Sequence, residues 1–580
     1  MQKNQNLRPK QKGGNATVIG VVLVLILLMI VIGIQPGGPV QAATPISFSG
    51  EELLGRPTDD SITIKIVPDE DIQYYYEYGL SSGSYSGQTS TVLANGGEPS
   101  TQTITGLTGN THYYYRMQYN YAGTGWIART EHSFWTQRSK GAEFTFTITS
   151  DSHVGIMLGN AATWTQTMEN VAEDEPDLHF DLGDTFPMDD VTSLSVADAA
   201  YLDQREFFDL VGHSASIFLT PGNHEQTEGW HLDDTTNISL SPPVMSTNMM
   251  KKYYLNPVPD DFYSGNTETF TYIDGDHLLE DYYAWEWGDA LFVFIDPFWY
   301  TESKPYTGNT GGGESYDTGT GDRWDWTLGP DQFEWLKQTL QNSTAAYKFV
   351  FAHHMVGGQD DYVRGGANPA NLVEWGGYNE AGTVYEWESQ RPSWGSDPIH
   401  QIFVDNGVSA FFHGHDHQYA YEERDGVVYQ SLPAAGFSGN GFSIYSTGSG
   451  YTIQALPSPG HLRVTVNPSV TTVDYIDTTN GTLNYSYDIE PNEAPDDLLG
   501  DVNGSGVVDS SDALIILSAD VGINVTSFCP INCGDVNTDG LVNSSDALII
   551  LSYDVGLSVP FDVGEAGCPA SVTQPPGCLP

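Results

Sequence analysis

The chain has 580 residues, which is too long for one ordinary domain and predicts about three or four. It carries 75 acidic residues against 21 basic ones, a formal net charge of −54, so its surface repels phosphate backbones and we expect no nucleic-acid binding. Hydrophobic residues make up 39% of the chain, which is enough for packed cores and excludes wholesale disorder.

The first segment, residues 1–42, has the order of charges and apolar residues that is typical of a secretory signal peptide. Basic residues precede an uncharged apolar run from Val18 to Ile34, and a small-residue cleavage site ends at Ala42. The run is long for a signal peptide, so an uncleaved membrane anchor is the alternative. Either form places the rest of the chain outside the cytoplasm, secreted or at the cell surface. We expect membrane contact only through this segment, if it is not cleaved.

Residues 45–137 are predicted to be all-β. SITIKIV (61–67) alternates with period two, and IQYYYEYG (72–79) and HYYYRMQYNY (112–121) are rich in aromatic residues. The end of the region, TITGLTGNTHYYYRM followed by HSFWT, resembles the end of a fibronectin type III-like β-sandwich. We expect the aromatic stretches to form the sandwich core rather than a ligand platform.

Residues 141–485 mix short apolar strands with helical segments, which predicts α/β layers. GPDQFEWLKQTLQ (329–341) is the clearest helix, residues 301–328 are interpreted as a long surface insertion, and residues 427–485 return to β-type alternation. The predicted strands are FTFTIT (144–149), LHFDL (178–182), SIFLT (216–220), ALFVFI (290–295), KFVFA (348–352) and SAFFH (409–413).

Polar clusters directly follow five of these strands. They are DSH (151–153), LGD (182–184), PGNHE (221–225), AHH (352–354) and HGHDH (413–417). Ligands gather at the carboxyl ends of strands in open α/β sheets, and Asp, Asn and His bind divalent metals. One such residue is usually structural, but five clusters together predict a metal site.

The candidate ligands supply three Asp or Asn oxygens and four His nitrogens: Asp151, His153, Asp184, Asn223, His353, His415 and His417. This set is too large for one tetrahedral ion and suits two ions that share a carboxylate. Two ions about 3.5–4 Å apart hold both oxygens of a displacement at phosphorus and activate the attacking water. No protein nucleophile is then required.

The motifs resemble those of calcineurin-like metallophosphoesterases, which are D-x-H, G-D, G-N-H-E/D, H and G-H-x-H in this order. The resemblance implies hydrolysis of phosphate mono- or diesters by a metal-bound hydroxide. It implies one metal on Asp151, His153 and His417, the other on Asn223, His353 and His415, and a bridge at Asp184. It also implies that His224, beside Asn223, contacts the phosphate and protonates the leaving oxygen. Its proton would be held by a carboxylate, either Asp184 or Glu225.

Two positions qualify this resemblance. His353 directly follows its strand, at the V-x-x-H position of purple acid phosphatases, but Met355 replaces the Pro of the common His-x-Pro pattern, so His354 stays open as the ligand. The preceding β-domain and HDHQYAYEER (415–424) are also similar to purple acid phosphatases. Pro187 stands where those enzymes carry the Tyr that binds Fe(III), and they lack the His of D-x-H. We therefore expect a colourless enzyme with Mn, Zn or an Fe/Zn pair.

After a polar linker at 486–498, the sequence repeats itself. GDVNGSGVVDSSDALIILSADVG (500–522) recurs as GDVNTDGLVNSSDALIILSYDVG (534–556), which predicts two copies of one unit. Each copy contains a calcium loop, residues 501–512 and 535–546, in which oxygen side chains alternate and a glycine makes the turn. The candidate ligands are Asp501, Asn503, Ser505, Val507, Asp509 and Asp512, then Asp535, Asn537, Asp539, Leu541, Asn543 and Asp546.

A calcium loop followed by a helix, twice, resembles a dockerin, a small α-helical domain over residues 499–580. The resemblance implies two Ca²⁺ ions and a cohesin-domain partner. It places partner-recognition positions at Ser510, Ser511, Ser544 and Ser545. The four cysteines, Cys529, Cys533, Cys568 and Cys578, all lie in this region. They permit two disulfides, whose pairing the sequence does not determine. Their spacings do not match a zinc site.

The sequence thus predicts a multidomain protein whose central part, 141–485, is an α/β four-layer metallophosphoesterase domain. We expect a secreted dinuclear enzyme that hydrolyses phosphate esters and is attached to a cohesin-bearing partner. An inactive phosphatase-fold scaffold assembled by the dockerin is the alternative, and a two-metal hydrolase with another substrate is a third hypothesis. All ligand types are present, and Asn223-His224 follows the family pattern, so the phosphoesterase is preferred.

Overall fold

The computed structural model describes residues 50–578 except positions 122, 190, 234, 273–274, 306–322, 358–364, 440–453, 493–497, 505–506, 526–527, 566 and 570. The predicted signal or anchor segment, most of the predicted insertion and Ser505 of the first calcium loop lie outside these residues. The described remainder covers all seven candidate metal ligands.

The N-terminal region is all-β, as predicted. It contains β1 Glu52–Gly55, β2 Ser61–Ile66, β3 Ile72–Gly79, β4 Gly87–Gln88, β5 Val92–Ala94, β6 Ser100–Thr105, β7 His112–Tyr121, β8 Ile127–Ala128 and β9 His132–Trp135. One sheet has the order β1-β2-β6, and the other is built around the β3–β7 pair. Alternate tyrosines of these two strands, such as Tyr76 and Tyr115, are fully buried in the core. The fibronectin type III likeness remains a prediction.

The central region contains two larger sheets. Their strands are β10 Phe144–Thr149, β11 Leu178–Asp181, β12 Ser216–Leu219, β13 Ser264–Gly265, β14 Thr269–Tyr272, β15 Gly275–Leu278, β16 Tyr283–Trp287, β17 Ala290–Phe294, β18 Tyr347–Ala352, β19 Ala410–His413, β20 Tyr419–Arg424, β21 Val427–Ser431, β22 Gln454–Leu456, β23 Gly460–Asn467, β24 Val470–Asp477 and β25 Leu483–Ile489. One sheet has the order β12-β11-β10-β23-β24-β25, and the other β13-β16-β17-β18-β19-β21-β20-β22. All six strands predicted for this region are present.

Helices cover the outer faces of both sheets. They are α1 Ala161–Glu173, α2 Leu194–Leu202, α3 Arg205–Gly212, α4 Pro242–Tyr253, α5 Pro330–Asn342, α6 Val373–Gly376, α7 Trp387–Gln390 and α8 Ile399–Asp405. An aromatic core that includes Phe146, Phe180 and Phe351 fills the space between the sheets. Two further cores pack α1 and α3 on the first sheet and α5 and α8 on the second. The four-layer α/β architecture is therefore confirmed.

The predicted surface insertion at 301–328 differs from the structure at its C-terminal end. Trp324 and Trp326 are buried in the core beneath α5, at 6% and 1% exposure. The indole nitrogen of Trp326 also donates to the carbonyl of Pro297 at 2.8 Å. The sequence did not predict the burial of these two tryptophans, because isolated residues in a Gly- and Thr-rich segment give no periodic pattern of hydrophobicity.

The C-terminal region contains two helices of equal length, α9 Ser510–Asp520 and α10 Ser544–Asp554. Each follows its loop directly, with Asp509 or Asn543 as the N-cap that accepts the N–H of Ser511 or Ser545. Matching residues of the two repeats, such as Ile516 and Ile550, share one small core. This arrangement agrees with the predicted pair of loop–helix units.

Candidate metal centre

The polar clusters meet at the carboxyl ends of strands from both sheets. Strands β10, β11 and β12 are parallel neighbours in the first sheet, and β18 and β19 are parallel neighbours in the second. The strands are buried throughout except at Thr145 of β10, and the chain turns immediately after each of them. Residues that lie far apart in sequence are thereby brought to one edge of the domain.

The first group of side chains consists of Asp151, His153, Asp184 and His417, all buried. His417 Nε2 lies 3.1 Å from Asp151 Oδ1, and His153 Nε2 lies 3.3 Å from Asp184 Oδ2. One ligand atom from each residue falls within 4.8 Å of all the others. This geometry and donor set fit one divalent cation.

The second group consists of Asp184, His353 and His415, also buried. His353 Nε2 lies 3.1 Å from Asp184 Oδ2, 3.1 Å from Asn223 Oδ1 and 3.3 Å from His415 Nδ1. His353 Nδ1 lies 2.7 Å from the Leu182 carbonyl, so it carries the ring proton and Nε2 is left for a metal. The two groups share Asp184, which gives the site a place for two cations.

His354, the other candidate for the His353 position, does not join either group. Its ring packs edge-on against Phe298 and Trp326, with centroids 4.8 and 4.7 Å away. Its Nδ1 lies 3.3 Å from the Met355 carbonyl. The structure therefore brings His353, and not His354, to the candidate metal site.

The backbone at the site is tightly constrained. Five of the candidate ligands have left-handed backbone angles that side chains other than glycine rarely adopt: Asp151, His153, Asp184, His415 and His417, with φ from 53° to 66°. A Cβ on Gly414 would lie 2.0 Å from Ser150 Oγ and 2.7 Å from Asp151 Oδ2. Such strain persists only where surrounding packing imposes it, and it concentrates at functional sites.

The charges of the site depend on its mutual contacts. Burial alone would raise the pKa of Asp184, but the neighbouring His353 and His224 hold that pKa well below its ordinary value. Burial lowers the pKa of His153, and the nearby His417 lowers it further. These contacts favour the anionic form of Asp184 and the neutral form of His153, the forms that bind metals. Burial lowers the pKa of His353, but Asp184 outweighs burial and raises it to about 10.

His224 lies beside both groups and is held by a carboxylate that the sequence analysis missed. Its Nδ1 lies 2.7 Å from Asp189 Oδ2, whereas its Nε2 lies 4.0 Å from Asp184 Oδ2. Glu225 contacts backbone N–H groups instead of this ring. Burial lowers the pKa of His224, but Asp184 and Asp189 outweigh burial and raise it to about 9. Asp189 lies in the irregular segment after β11, where no periodicity marks it.

The two calcium loops bring their predicted ligands together only partly. In the first, the carboxylate of Asp512 accepts the N–H groups of Val502, Asn503 and Asp509 at 3.0–3.2 Å. In the second, Asp535 accepts the N–H groups of Asp539 and Gly540 at 3.0 and 2.9 Å. The first and last loop residues, Asp501, Asp512, Asp535 and Asp546, are buried. Val507 and Leu541, predicted to bind through their carbonyls, have exposed side chains.

Residues 144–419 match the family model of the calcineurin-like phosphoesterases. This segment is a calcineurin-like phosphoesterase domain. The match supports a phosphoric ester hydrolase, with a potential metal site formed by the two groups within this domain. Residues 499–553 match the dockerin type I domain, which contains both loops and helices.

The fold of the chain was compared with solved structures. The chain is similar to a structure of PhoD, at 14% identity over 77% of this chain and 90% of that one, with a TM-score of 0.51. It also aligns with the purple acid phosphatase PPD1 from seeds of yellow lupin (Lupinus luteus), at 14% identity over 76% and 74%, with a TM-score of 0.48. No curated protein matches the chain in sequence.

The C-terminal region that contains the dockerin match is closed by two disulfides, Cys529–Cys578 and Cys533–Cys568, with Cα–Cα distances of 5.7 and 4.6 Å. Disulfides are typical of extracellular proteins, in agreement with the expected location. Within the described residues, no helix is both long enough and apolar enough to cross a bilayer. Ser510, Ser511, Ser544 and Ser545 are exposed at the starts of α9 and α10.

Proposed function

We propose that the chain is a secreted, dinuclear-metal phosphoesterase that hydrolyses phosphate mono- or diesters and is attached to a partner through its dockerin. The observation that carries the proposal is the shared position of Asp184. Its Oδ2 lies within 3.3 Å of histidine nitrogens from both groups. A carboxylate oxygen placed between two sets of ligands is what a two-cation site requires.

Asp151, His153 and His417 would hold one cation, Asn223, His353 and His415 the other, and Asp184 both. Bound cations would polarise the phosphate ester and lower the pKa of water at the site. Pro187, in place of a tyrosine ligand, supports a colourless Mn, Zn or Fe/Zn pair.

His224 is the residue placed to protonate the leaving oxygen. Asp189 holds its Nδ1 proton, so Nε2 is left to face the substrate side. The imidazole carries a positive charge at neutral pH when its pKa lies near 9. A protonated imidazole beside the ligand groups supplies both a hydrogen bond to the phosphate and a proton to the departing alkoxide.

We propose a cohesin-bearing protein as the partner of the dockerin. Equivalent residues of the two repeats are exposed in pairs on their helices: Leu514 and Leu548 at 64% and 66%, and Val521 and Val555 at 74% and 71%. The exposed serines that begin both helices lie next to the first pair. Apolar positions exposed twice in the same pattern support two equivalent binding orientations, with Ca²⁺ in both loops.

Turnover by the full chain tests the enzyme. The purified protein, loaded with Mn²⁺, Zn²⁺ or Fe/Zn, is assayed with p-nitrophenyl phosphate and its bis ester. We expect Asn223→Ala and His224→Ala to lower kcat by about 10²–10⁴-fold with a much smaller change in KM. Absence of turnover with every metal would instead favour the inactive scaffold.

The neighbouring histidines offer a matched control. His353→Ala should reduce the metal content from two ions to one, because it removes a ligand of the second group. His354→Ala removes a side chain of the same type, also fully buried, that belongs to neither group, although its ring packs against His415 at a centroid distance of 5.0 Å. Loss of metal in the His354 variant alone would contradict the ligand assignment.

Binding of the full chain to a purified cohesin domain tests the partner. We expect binding with Ca²⁺ and none after chelation. Because either repeat would suffice, replacing the serines of one repeat should leave affinity nearly unchanged, whereas replacing those of both should lower it strongly. Equal binding with and without Ca²⁺ would argue against this mode.

A further inference from the structure

The loop that carries Asp184 has a strained shape. Gly183 and Asp184 both have left-handed backbones, with φ of 91° and 57°. A Cβ on Gly183 would lie 2.1 Å from the nitrogen of Gly222, and one on Gly222 would lie 2.3 Å from Asp184 Oδ1. The loop after β11 and the loop after β12 therefore touch backbone to backbone, and each fixes the shape of the other.

Glu225 joins these two loops through hydrogen bonds to the backbone of both. Its side chain is 1% exposed. Oε1 accepts the N–H groups of Thr185 and Phe186 at 2.8 and 2.7 Å, and Oε2 accepts those of Asp184 and Gly222 at 2.9 and 2.5 Å. Successive N–H groups that converge on one point form an anion-binding concavity. Here the anion is a side chain of the neighbouring loop.

Asp184, in the loop after β11, also forms a hydrogen bond with the loop after β12. Its Oδ1 accepts the N–H of His224 at 2.8 Å. Its Oδ2 is thereby directed to the space between His153 and His353, at 3.3 and 3.1 Å from their Nε2 atoms. One carboxylate oxygen is used to set the orientation, and the other is presented to both ligand groups.

We propose that Glu225 is a positioning residue that holds Asp184 in its bridging orientation. The inference rests on the proposed function, since only a two-cation site needs a bridge. Glu225 belongs to neither ligand group among the described residues, and it does not hold the ring of His224. A carboxylate buried at this depth costs free energy unless hydrogen bonds offset it, and all four of these bonds go to the two loops at the site.

The test compares Glu225→Gln with Glu374→Gln in the full chain. Glu374 is a matched control, because it is also fully buried in the phosphoesterase domain and accepts bonds from Leu328 N–H and Arg391, away from the ligand groups. In Glu225→Gln, the amide NH₂ group can only donate. The backbone N–H groups that bond to that oxygen of Glu225 therefore lose their acceptor. Amide hydrogen exchange of the metal-free protein is measured first, and EPR spectra during Mn²⁺ titration second.

We expect Glu225→Gln to speed exchange at residues 184–186 by roughly ten-fold or more and to weaken Mn²⁺ binding by about 10–100-fold. The exchange-coupled spectrum of a Mn²⁺ pair should give way to that of separate ions. Glu374→Gln should change neither reading. A Glu225→Gln protein with native exchange at 184–186 and a coupled Mn²⁺ pair would overturn the inference.

Two further outcomes keep the tests apart. If Glu225→Gln does not fold, Glu225→Asp keeps the charge but shortens the reach, and the same readings apply with smaller changes. Native exchange and native Mn²⁺ coupling in that variant would overturn the inference. If the unsubstituted chain binds two ions of none of Mn²⁺, Zn²⁺ or Fe/Zn, the proposed function fails and the bridging role fails with it. A coupled Mn²⁺ pair in every variant overturns the role of Glu225 alone.

Discussion

The candidate metal centre of the phosphoesterase domain and the predicted calcium loops of the dockerin bring their candidate ligands together in opposite ways. The candidate metal centre draws seven residues from five strand ends between Asp151 and His417, and each is at most 3% exposed. Each calcium loop is a single short segment in which buried residues such as Asp535 alternate with exposed ones such as Asp539.

The difference concerns what holds each site together. In the candidate metal centre, packed strands, left-handed turns and the contact between Gly183 and Gly222 fix the positions of the candidate ligands. In the loops, ligands such as Asp512 and Asp535 are occupied by N–H groups of their own loop. We therefore expect cations to switch chemistry on in the first region and to stabilise folding in the second.

The largest effect is expected at the shared ligand. Asp184→Asn should lower kcat by at least about 10³-fold, because both cations lose a negatively charged ligand and several kcal/mol of transition-state stabilisation are lost. The fold should survive, since the amide keeps the size of the carboxylate. Steady-state turnover and thermal melting of the full chain measure the two effects. Unfolding of the variant would contradict the difference between the two regions, because the fold around the metal centre would then depend on its ligands.

Removal of calcium should unfold the helices of the dockerin, whereas the Asp184 substitution should leave the fold intact. Chelation is expected to expose the amides of α9 and α10 to hydrogen exchange, because the loops that begin these helices lose their ions. Strands β10–β12 of the phosphoesterase domain should keep their protection in the same sample. Equal protection of α9 and α10 with and without Ca²⁺ would contradict the view that the loops depend on their ions.

A smaller loss is expected at the partner of His224. Asp189→Asn should lower kcat by about 10²-fold, within the range for a general acid, because the ring loses the charge that keeps it protonated and oriented. Bound metal should stay at two ions per chain, since Asp189 belongs to neither ligand group. A loss of metal would show that Asp189 acts through the ligands instead.

The smallest effect is expected on the free energy of unfolding, which the buried carboxylate of Asp181 lowers at high pH. Burial, together with the charge of Glu225, raises the pKa of Asp181 to about 7, although Thr185 and Thr149 donate to it. The folded state thus holds this proton more tightly than the unfolded chain, so the stabilisation present below about pH 4 is lost as pH rises to about 7. Asp181→Asn should raise the free energy of unfolding at pH 8 by on the order of 1–4 kcal/mol and leave it nearly unchanged at pH 4.

Denaturation of the metal-free chain at both pH values measures this effect. The matched variant Asp177→Asn removes another buried carboxylate, directly before β11, but one that is paired with Arg138. It should destabilise at pH 8, because it leaves a charge without its partner. A gain in both variants would show that the effect is not specific to Asp181.

The sequence predicted those parts of the molecule that have a period or a motif. The six central strands, five of them followed by polar clusters, helix α5 and the repeated loop–helix units were all visible in the pattern of apolar residues. The contact of His224 with Asp189 was not, because it depends on the path of an irregular segment. The choice of His353 over His354 likewise depended on packing, since both follow the same strand and only the rings of Phe298 and Trp326 separate them.

The disulfides of the dockerin are nested, since the Cys533–Cys568 bond lies inside the segment closed by Cys529–Cys578. The whole second repeat therefore lies within two covalent rings. A protease that cuts one peptide bond between Cys533 and Cys568 releases no fragment, because both ends remain tied to the first repeat. An extracellular protein meets such cuts often, and this arrangement lets the attachment region be nicked without being shed.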